Sequence, residues 1–139
     1  MTSSESLAFE PILVVLEFWD RPRSGIAEFR GVPHFFECEF DTVADEFSDI
    51  HTLRPVDQET ISLAYEKDRI TKAWWAAHRR GEVPFSSKPD LPGQNARHAE
   101  LETTIKARIS RLSPPIARAH GTFRIEPNHP QEIAWKVVP

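Results

Sequence analysis

Apolar runs and short turn signals alternate along the first half of the chain, a pattern that is typical of antiparallel strands. Residues 12–18 are apolar on both faces as far as Glu17, which favours a first strand that is buried on both sides. Aspartate and proline within residues 19–24 predict a turn, and residues 25–29 predict a second strand after it. The pattern therefore predicts a hairpin over residues 12–29.

A third strand, predicted over residues 32–40 after a tight turn at Arg30 and Gly31, has the clearest alternation of the chain. One face carries the residues expected in the core, namely His34, Phe36, Cys38 and Phe40. Cys38 is accordingly expected to face the helices from inside the core, together with Phe36 and Phe40. The opposite face carries Phe35, Glu37 and Glu39.

An acidic loop over residues 41–49 leads to a short fourth strand around residues 50–54. Pro55 ends this strand, because proline has no N–H group to donate to a sheet. A first helix is predicted from Gln58 to Arg80, with Asp57 as its N-cap and Gly81 just beyond its end. Its expected core stripe consists of Leu63, Ile70, Trp74 and Ala77.

A proline-rich loop over residues 81–95 separates the first helix from a second one. Long loops are either functional or held down by their own apolar side chains, and here the second interpretation is favoured, with Val83, Phe85 and Leu91 as the anchors. The second helix is predicted over residues 96–112. Its core stripe consists of Leu101, Ile105, Ile109 and Leu112.

Two further strands, over residues 116–125 and 133–138, are expected to form a hairpin around a turn at residues 126–130. The predicted order is ββββααββ. This order gives an α+β fold, in which an antiparallel sheet of five to six strands carries two helices packed on one face. Residues 1–10 are expected to be a mobile arm and residues 11–139 a single domain.

Charge is distributed unevenly along the chain and weighs against nucleic acid as a partner. The net charge is −4, but residues 1–56 contain 11 acidic and 4 basic residues, whereas the remainder is slightly basic. The basic residues of the second part are spread along the helices rather than clustered, unlike those of a phosphate-binding surface. We expect a protein as the partner instead. The distribution of charge does not indicate an oligomeric state.

The chain shows no apolar run long enough to cross a bilayer, and its first residues lack the basic start of a signal peptide. Cys38 is the single cysteine, which excludes an internal disulfide. These observations predict a cytoplasmic protein without membrane association.

Metal sites, cofactors and catalytic residues are not indicated by the spacing of the reactive residue types. The six histidines lack metal-ligand spacing, and the acidic loop lacks the central glycine of a calcium loop. Cys38 and His34 share a strand face, but four residues of extended chain separate them by about 13 Å. A buried structural cysteine is the favoured interpretation.

Candidate binding residues occur in two places. Arg21, Arg23 and Ser24 lie on a predicted turn that could clamp an anion or carboxylate, although an ordinary turn is the simpler interpretation. Glu37 and Glu39 could form a carboxylate row with Glu17 and Glu28. Cross-strand pairing of such carboxylates with the basic residues of the fifth strand is simpler; these are Arg118, His120 and Arg124.

Trp74 and Trp75 are adjacent, so about 100° of helix rotation separates them and a narrow core stripe holds one of the two. Trp74 is assigned to the core. Trp75 is the boundary residue, either an anchor for a partner or a ring packed beneath the long loop.

The motifs PRSGIA and GVPHFFE, over residues 22–27 and 31–37, resemble a P-x-S-G-I-A and G-x-P-H-x-F-E pattern in small uncharacterised bacterial proteins. The likeness covers residues 14–80. It implies a hairpin followed by a helix and implies no activity, so no functional residue is carried over from it.

Two functions remain open at this point. The leading hypothesis is a non-catalytic protein-interaction module of an accessory or toxin-neutralising type, since an acidic sheet and spare aromatic residues are present without a catalytic motif. The alternative is a small-ligand binder or hydrolytic enzyme that uses Arg21 and Arg23 with Glu37 and Glu39.

Overall fold

Six antiparallel strands close into a barrel in the computed structural model, which describes residues 7–126 and 131–139. The strands are β1 (Phe9–Trp19), β2 (Arg21–Phe29), β3 (Val32–Asp41), β4 (Glu46–Pro55), β5 (Ala117–Arg124) and β6 (Glu132–Val137). Between β4 and β5 lie α1 (Gln58–Arg79), a short 3-10 helix (Phe85–Ser87) and α2 (Ala96–Ser110). Two compact units result: a helical unit, Asp57–Leu112, and a barrel unit formed by the rest of the described chain.

The predicted α+β composition is confirmed, with six antiparallel strands and two helices, but the closure of the sheet was not predicted. β1 pairs with β6, with Phe9 opposite Ala134, so every strand of the described barrel has two neighbours. Three register shifts in β1 interrupt its ladder with β2. Such irregularities bend and coil a strand, which is what a small barrel needs in order to close.

Several element boundaries differ from the predicted ones. β2 already begins at Arg21, so the turn expected over residues 19–24 is reduced to the region of Asp20, whose φ is 69°. β1 begins at Phe9, which places the last two residues of the expected arm in a strand. Residues 1–6 of that arm, and residues 127–130 of the expected final turn with His129, lie outside the described residues.

The main core lies inside the barrel. Its buried members are Ala27, Phe29, Phe36, Leu53, Ala119 and Ile133. Trp135 packs against them and its Nε1 donates a hydrogen bond of 3.0 Å to the carbonyl oxygen of Glu28. The inner face of β3 therefore lines the interior of the barrel.

Phe36 and Cys38 are buried as predicted, but the prediction for Phe40 was wrong. Phe40 is 47% exposed. The reason is a register shift between Cys38 and Phe40 in the ladder with β4, which ends the regular alternation of β3 at that point. This face of β3 was predicted to point towards the helices. It points towards the interior of the barrel instead.

Both α-helices of the helical unit begin at a side-chain cap. Asp57 accepts a hydrogen bond from the backbone N–H of Thr60, and Asn95 accepts one from that of His98. The guanidinium of Arg97 joins the helices through two hydrogen bonds to Glu66, at 2.5 and 2.7 Å. In the described part of the chain neither helix has the length and hydropathy required to span a membrane.

The buried positions of the helices agree only in part with the predicted stripes. On α1 Trp74 is buried as predicted, while Leu63, Ile70 and Ala77 are half-buried. On α2 Leu101 and Ile105 are buried and Ile109 is half-buried, whereas the half-buried Leu112 lies beyond the end of the helix at Ser110. The buried residues near the start of α1 are instead Thr60, Ile61 and Ala64.

Gly25 allows β1 and β2 to approach each other at a point where no side chain fits. A Cβ atom built on Gly25 would lie 2.3 Å from the carbonyl oxygen of Val14 and 3.1 Å from the ring of Phe36. The first of these neighbours is backbone, which cannot rotate away. Glycine is therefore required here for packing rather than for an unusual φ angle.

We expect Gly25→Ala to lower the free energy of unfolding by about 3 kcal/mol or more, because it forces the β1 backbone away from β2. Gly31→Ala is the matched control: its Cβ meets nothing within 4 Å, and only its φ of 78° is unfavourable. That strain costs about 1 kcal/mol. Urea unfolding of both variants tests the difference, and equal losses would contradict the close approach at Gly25.

Candidate functional site

One end of the barrel exposes a group of apolar side chains, which we call the barrel tip. Its members lie at or beside the β1–β2 and β3–β4 turns: Phe18, Trp19, Phe40 and Val43. Trp19 is 72% exposed and Val43 is 96% exposed. Because β2 pairs with β3, the two hairpins are neighbours and their turns lie at the same end of the barrel.

Acidic residues accompany the apolar side chains of the barrel tip. Four of them are exposed and form no ion pair with any described residue: Asp20, Asp41, Asp45 and Glu46. The Asp41 carboxylate shapes its turn by accepting hydrogen bonds from the backbone N–H groups of Val43 and Ala44, at 2.9 and 3.1 Å. The tip thus combines an apolar surface with negative charge.

Arg23 lies behind the tip, inside the barrel, and is only 9% exposed. Its Nε donates to the carbonyl oxygen of Trp19 at 2.9 Å, and its Nη1 lies 3.6 Å from the Sγ of Cys38. The guanidinium carbon stands 4.2 Å from the ring centroid of Phe47, which in turn contacts Phe40 at 5.1 Å between ring centroids. Arg23 therefore contacts both the exposed tip, at Trp19, and the buried interior, at Cys38.

Cys38 is buried, as the sequence predicts, and acts as a hydrogen-bond donor rather than as part of a nucleophilic pair. Its Sγ donates to the carbonyl oxygen of Ser48 at 3.0 Å. His34 is engaged elsewhere, since its Nδ1 lies 2.7 Å from the carbonyl oxygen of Val32 and its ring contacts Phe29. The two residues thus form no Cys–His hydrogen bond.

His51, directly opposite Cys38 on β4, is an ionisable group enclosed in the barrel core. It is 1% exposed and its ring packs against three aromatic rings at centroid distances of 5.6 to 5.9 Å: Phe36, Phe123 and Trp135. Neither ring nitrogen has a well-formed hydrogen bond to a described residue. Burial lowers the pKa of His51 to about 4, against the opposing effect of the Asp49 and Ala119 backbone groups.

The predicted binding residues fall on opposite faces of the barrel wall. Arg23 lies inside, whereas Ser24 is on the outer face and its hydroxyl donates to the Glu17 carboxylate at 2.9 Å. Glu37, opposite Ser24, is exposed on the outer face. The structure therefore does not bring Arg21 and Arg23 together with Glu37 and Glu39.

Cross-strand pairing with β5 is confirmed as the role of Glu39. Its carboxylate accepts two hydrogen bonds from Arg118, at 2.6 and 2.7 Å, and this bonding lowers the pKa of Glu39. His120 pairs in the same way with Asp49 at 3.0 Å. Of the four carboxylates in the expected row, Glu39 alone forms an ion pair with a described residue, since His120 and Arg124 pair instead with Asp49 and Glu132.

The helical unit carries a separate group of rings that includes both adjacent tryptophans. Trp74 stacks on His78 at 4.9 Å and contacts Trp75 at 5.0 Å, while Phe85 of the long loop packs at 6.0 Å from Trp74. The Trp74 Nε1 also donates to the Ser87 hydroxyl at 2.9 Å. The long loop is thus held to α1, and Trp75 is a half-buried member of this group.

No group of three or more potential metal ligands occurs among residues 7–126 and 131–139. Comparisons with protein-family models, curated proteins and solved structures return no match to this chain. The resemblance to small bacterial proteins stays a prediction.

We expect the buried ring of His51 to make the barrel less stable in mild acid. In the unfolded chain a histidine protonates near pH 6.5, whereas folded His51 resists protonation down to about pH 4. The free energy of unfolding should therefore fall between these two pH values, by about 3 kcal/mol in total, and the loss should end once folded His51 is also protonated.

Urea unfolding of the wild type and of His51→Leu, measured from pH 7 to pH 4, tests this expectation. The lowered pKa of His98 adds a loss of the same sign, but it is present in both proteins. The difference between the two curves therefore isolates His51. Parallel curves would show that its ring is not held neutral by the fold.

The two tryptophans of α1 should differ in their contribution to stability. Trp74→Ala removes a buried ring, its stacking on His78 and its hydrogen bond to Ser87, so we expect a loss of about 3 to 5 kcal/mol. Trp75→Ala removes a half-buried ring and should cost about 1 kcal/mol. Urea melts of both variants measure the difference, and a loss for Trp75→Ala as large as that for Trp74→Ala would make both rings core residues.

Proposed function

We propose that this protein is a non-catalytic protein-interaction module, of an accessory or toxin-neutralising type, which binds a partner protein through the barrel tip. The observation that carries the proposal is the 72% exposure of Trp19, next to Phe18 in sequence and at the same end of the barrel as the exposed Phe40. Grouped exposed apolar side chains mark interaction sites, and tryptophan is enriched among the residues that dominate binding energy.

The charge of the barrel tip supports a partner with a basic surface. The exposed carboxylates of Asp20, Asp41, Asp45 and Glu46 form no ion pair with a described residue. Lysine or arginine side chains at the edge of a partner's apolar patch would complement them. Association should then be faster at low salt, while the apolar contact supplies most of the affinity.

The closed barrel supports a side-chain contact rather than strand addition. A partner that adds a strand needs a sheet edge with free N–H and C=O groups. In the described barrel each strand is already paired on both sides. The turns at the tip therefore present side chains, not backbone, to a partner.

The alternative function, a small-ligand binder or hydrolytic enzyme, was based on residues that do not lie together in the structure. Arg23 lies inside the barrel, whereas Glu37 and Glu39 lie on its outer face, and Glu39 is bound to Arg118. A site that uses all of these groups at once is not supported.

The partner can be sought by capture on immobilised protein from the native host, with mass spectrometry, and binding then measured with the purified partner. We expect Trp19→Ala to leave the free energy of unfolding within about 1 kcal/mol of wild type. It should nevertheless weaken binding by about 2 kcal/mol or more, because an exposed tryptophan at the centre of a contact is typical of a hot spot.

Trp75→Ala is the matched control, since it truncates the same side chain outside the barrel tip. The tip is supported if Trp19→Ala weakens binding and Trp75→Ala does not. The opposite result would place the contact on the aromatic group of the helical unit, where Trp75 was the predicted anchor. If both variants bind like the wild type, neither surface is the binding site.

A further inference from the structure

The guanidinium of Arg23 is a buried positive charge for which the described chain supplies no carboxylate. It is nine-tenths buried, yet no aspartate or glutamate of the described residues lies within ion-pair distance of it. A buried charge is costly unless it is paired and hydrogen-bonded. The two arginines of β5, by contrast, are each paired with a carboxylate: Arg118 with Glu39 and Arg124 with Glu132.

The hydrogen bonds of Arg23 leave one side of its guanidinium available. Nε donates to Trp19 and Nη1 approaches the Cys38 sulfur, a weak acceptor, while Nη2 makes no hydrogen bond to a described residue. One face of the planar group is covered by Phe47 at 4.2 Å. The Arg23 guanidinium is therefore a hydrogen-bond donor that is held in place, is partly removed from water and lies against an aromatic ring.

Arg21 adds a second positive charge on the same side of the strand. It lies two residues before Arg23 on β2, so strand alternation places both on the inner face. Its charge acts on the enclosed His51, where it opposes protonation. Two cations therefore face the interior at this end of the barrel, beside a histidine that burial keeps neutral.

We propose that Arg23, supported by Arg21, binds the carboxylate of a small aromatic or apolar monocarboxylic acid at the inner side of the barrel tip. A carboxylate matches the planar fork of a guanidinium and gains strength where water is excluded. The body of the acid would lie against Phe47 and the neighbouring rings of the tip. This site does not depend on the existence of a protein partner.

The charge of the tip selects a monoanion over a dianion such as phosphate. The exposed carboxylates of the barrel tip, Asp20, Asp41, Asp45 and Glu46, repel a doubly charged ion more strongly than a single charge. An apolar body also gains contact area that inorganic phosphate lacks. Benzoate is therefore the probe of choice, with phosphate and chloride as the comparison anions.

The first experiment measures thermal unfolding of the full chain in increasing benzoate, against phosphate and sodium chloride at equal ionic strength. We expect stabilisation that is specific to benzoate, with half-saturation at about 1 mM, as is reasonable for a ligand of this size. Arg23→Lys keeps the charge but removes the planar fork, and should weaken the effect about tenfold. Arg118→Lys is the matched control on the outer face and should bind like the wild type.

A second measurement needs no variant, so it holds even if Arg23→Lys does not fold. Titration of the ¹⁵N-labelled wild type with benzoate should shift the amide signals of residues 19–23 and 47–48 most strongly. The proposal is overturned if chloride or phosphate stabilises the protein as much as benzoate, if Arg23→Lys binds like the wild type, or if the shifts are absent or centred outside these residues.

Discussion

The pairing of β1 with β6 is the constraint on which the rest of the barrel depends. It turns one face of six strands into an enclosed interior, and that interior is narrow. At Gly25 there is no room for a Cβ, and one on Gly121 would lie 2.8 Å from Ile133 and 3.1 Å from His51. The same enclosure removes His51 and Arg23 from water. Their unusual environments are therefore consequences of closure rather than of any local motif.

Local pattern was sufficient to predict most of the elements, because alternation and helix caps are properties of neighbouring residues. Asp57 marks the start of α1, and Arg30–Gly31 marks the β2–β3 turn, as predicted. Closure was not predictable in this way, since it depends on contacts between residues at opposite ends of the chain, such as Phe9 and Ala134. The exposure of Phe40 also escaped prediction, because a register shift leaves no signature in the alternation itself.

The candidate site residues differ in the same way: their residue types were visible in the local sequence, but their surroundings depend on distant contacts. Arg21 and Arg23 were recognisable from their residue types, but their burial follows from a strand that begins earlier than the turn residues suggest. Glu39 was placed on the correct face, and its partner, Arg118, comes from a strand beyond the helical unit. Trp19 was overlooked because its position beside an aspartate in a turn does not indicate whether other side chains will bury its ring. Its adjacency to Phe18 was the available signal.

The helical unit is inserted between two strands that pair directly with each other, Leu53 of β4 lying opposite Ala117 of β5. The chain must therefore leave the barrel and return to almost the same point, as the hydrogen bond of 2.8 Å from the Ile116 N–H to the Leu53 carbonyl shows. Forming this ladder costs the entropy of closing a long loop. If the helices form first, the effective loop is shorter and the two strands meet more readily, so the helical unit lowers the cost of pairing β4 with β5.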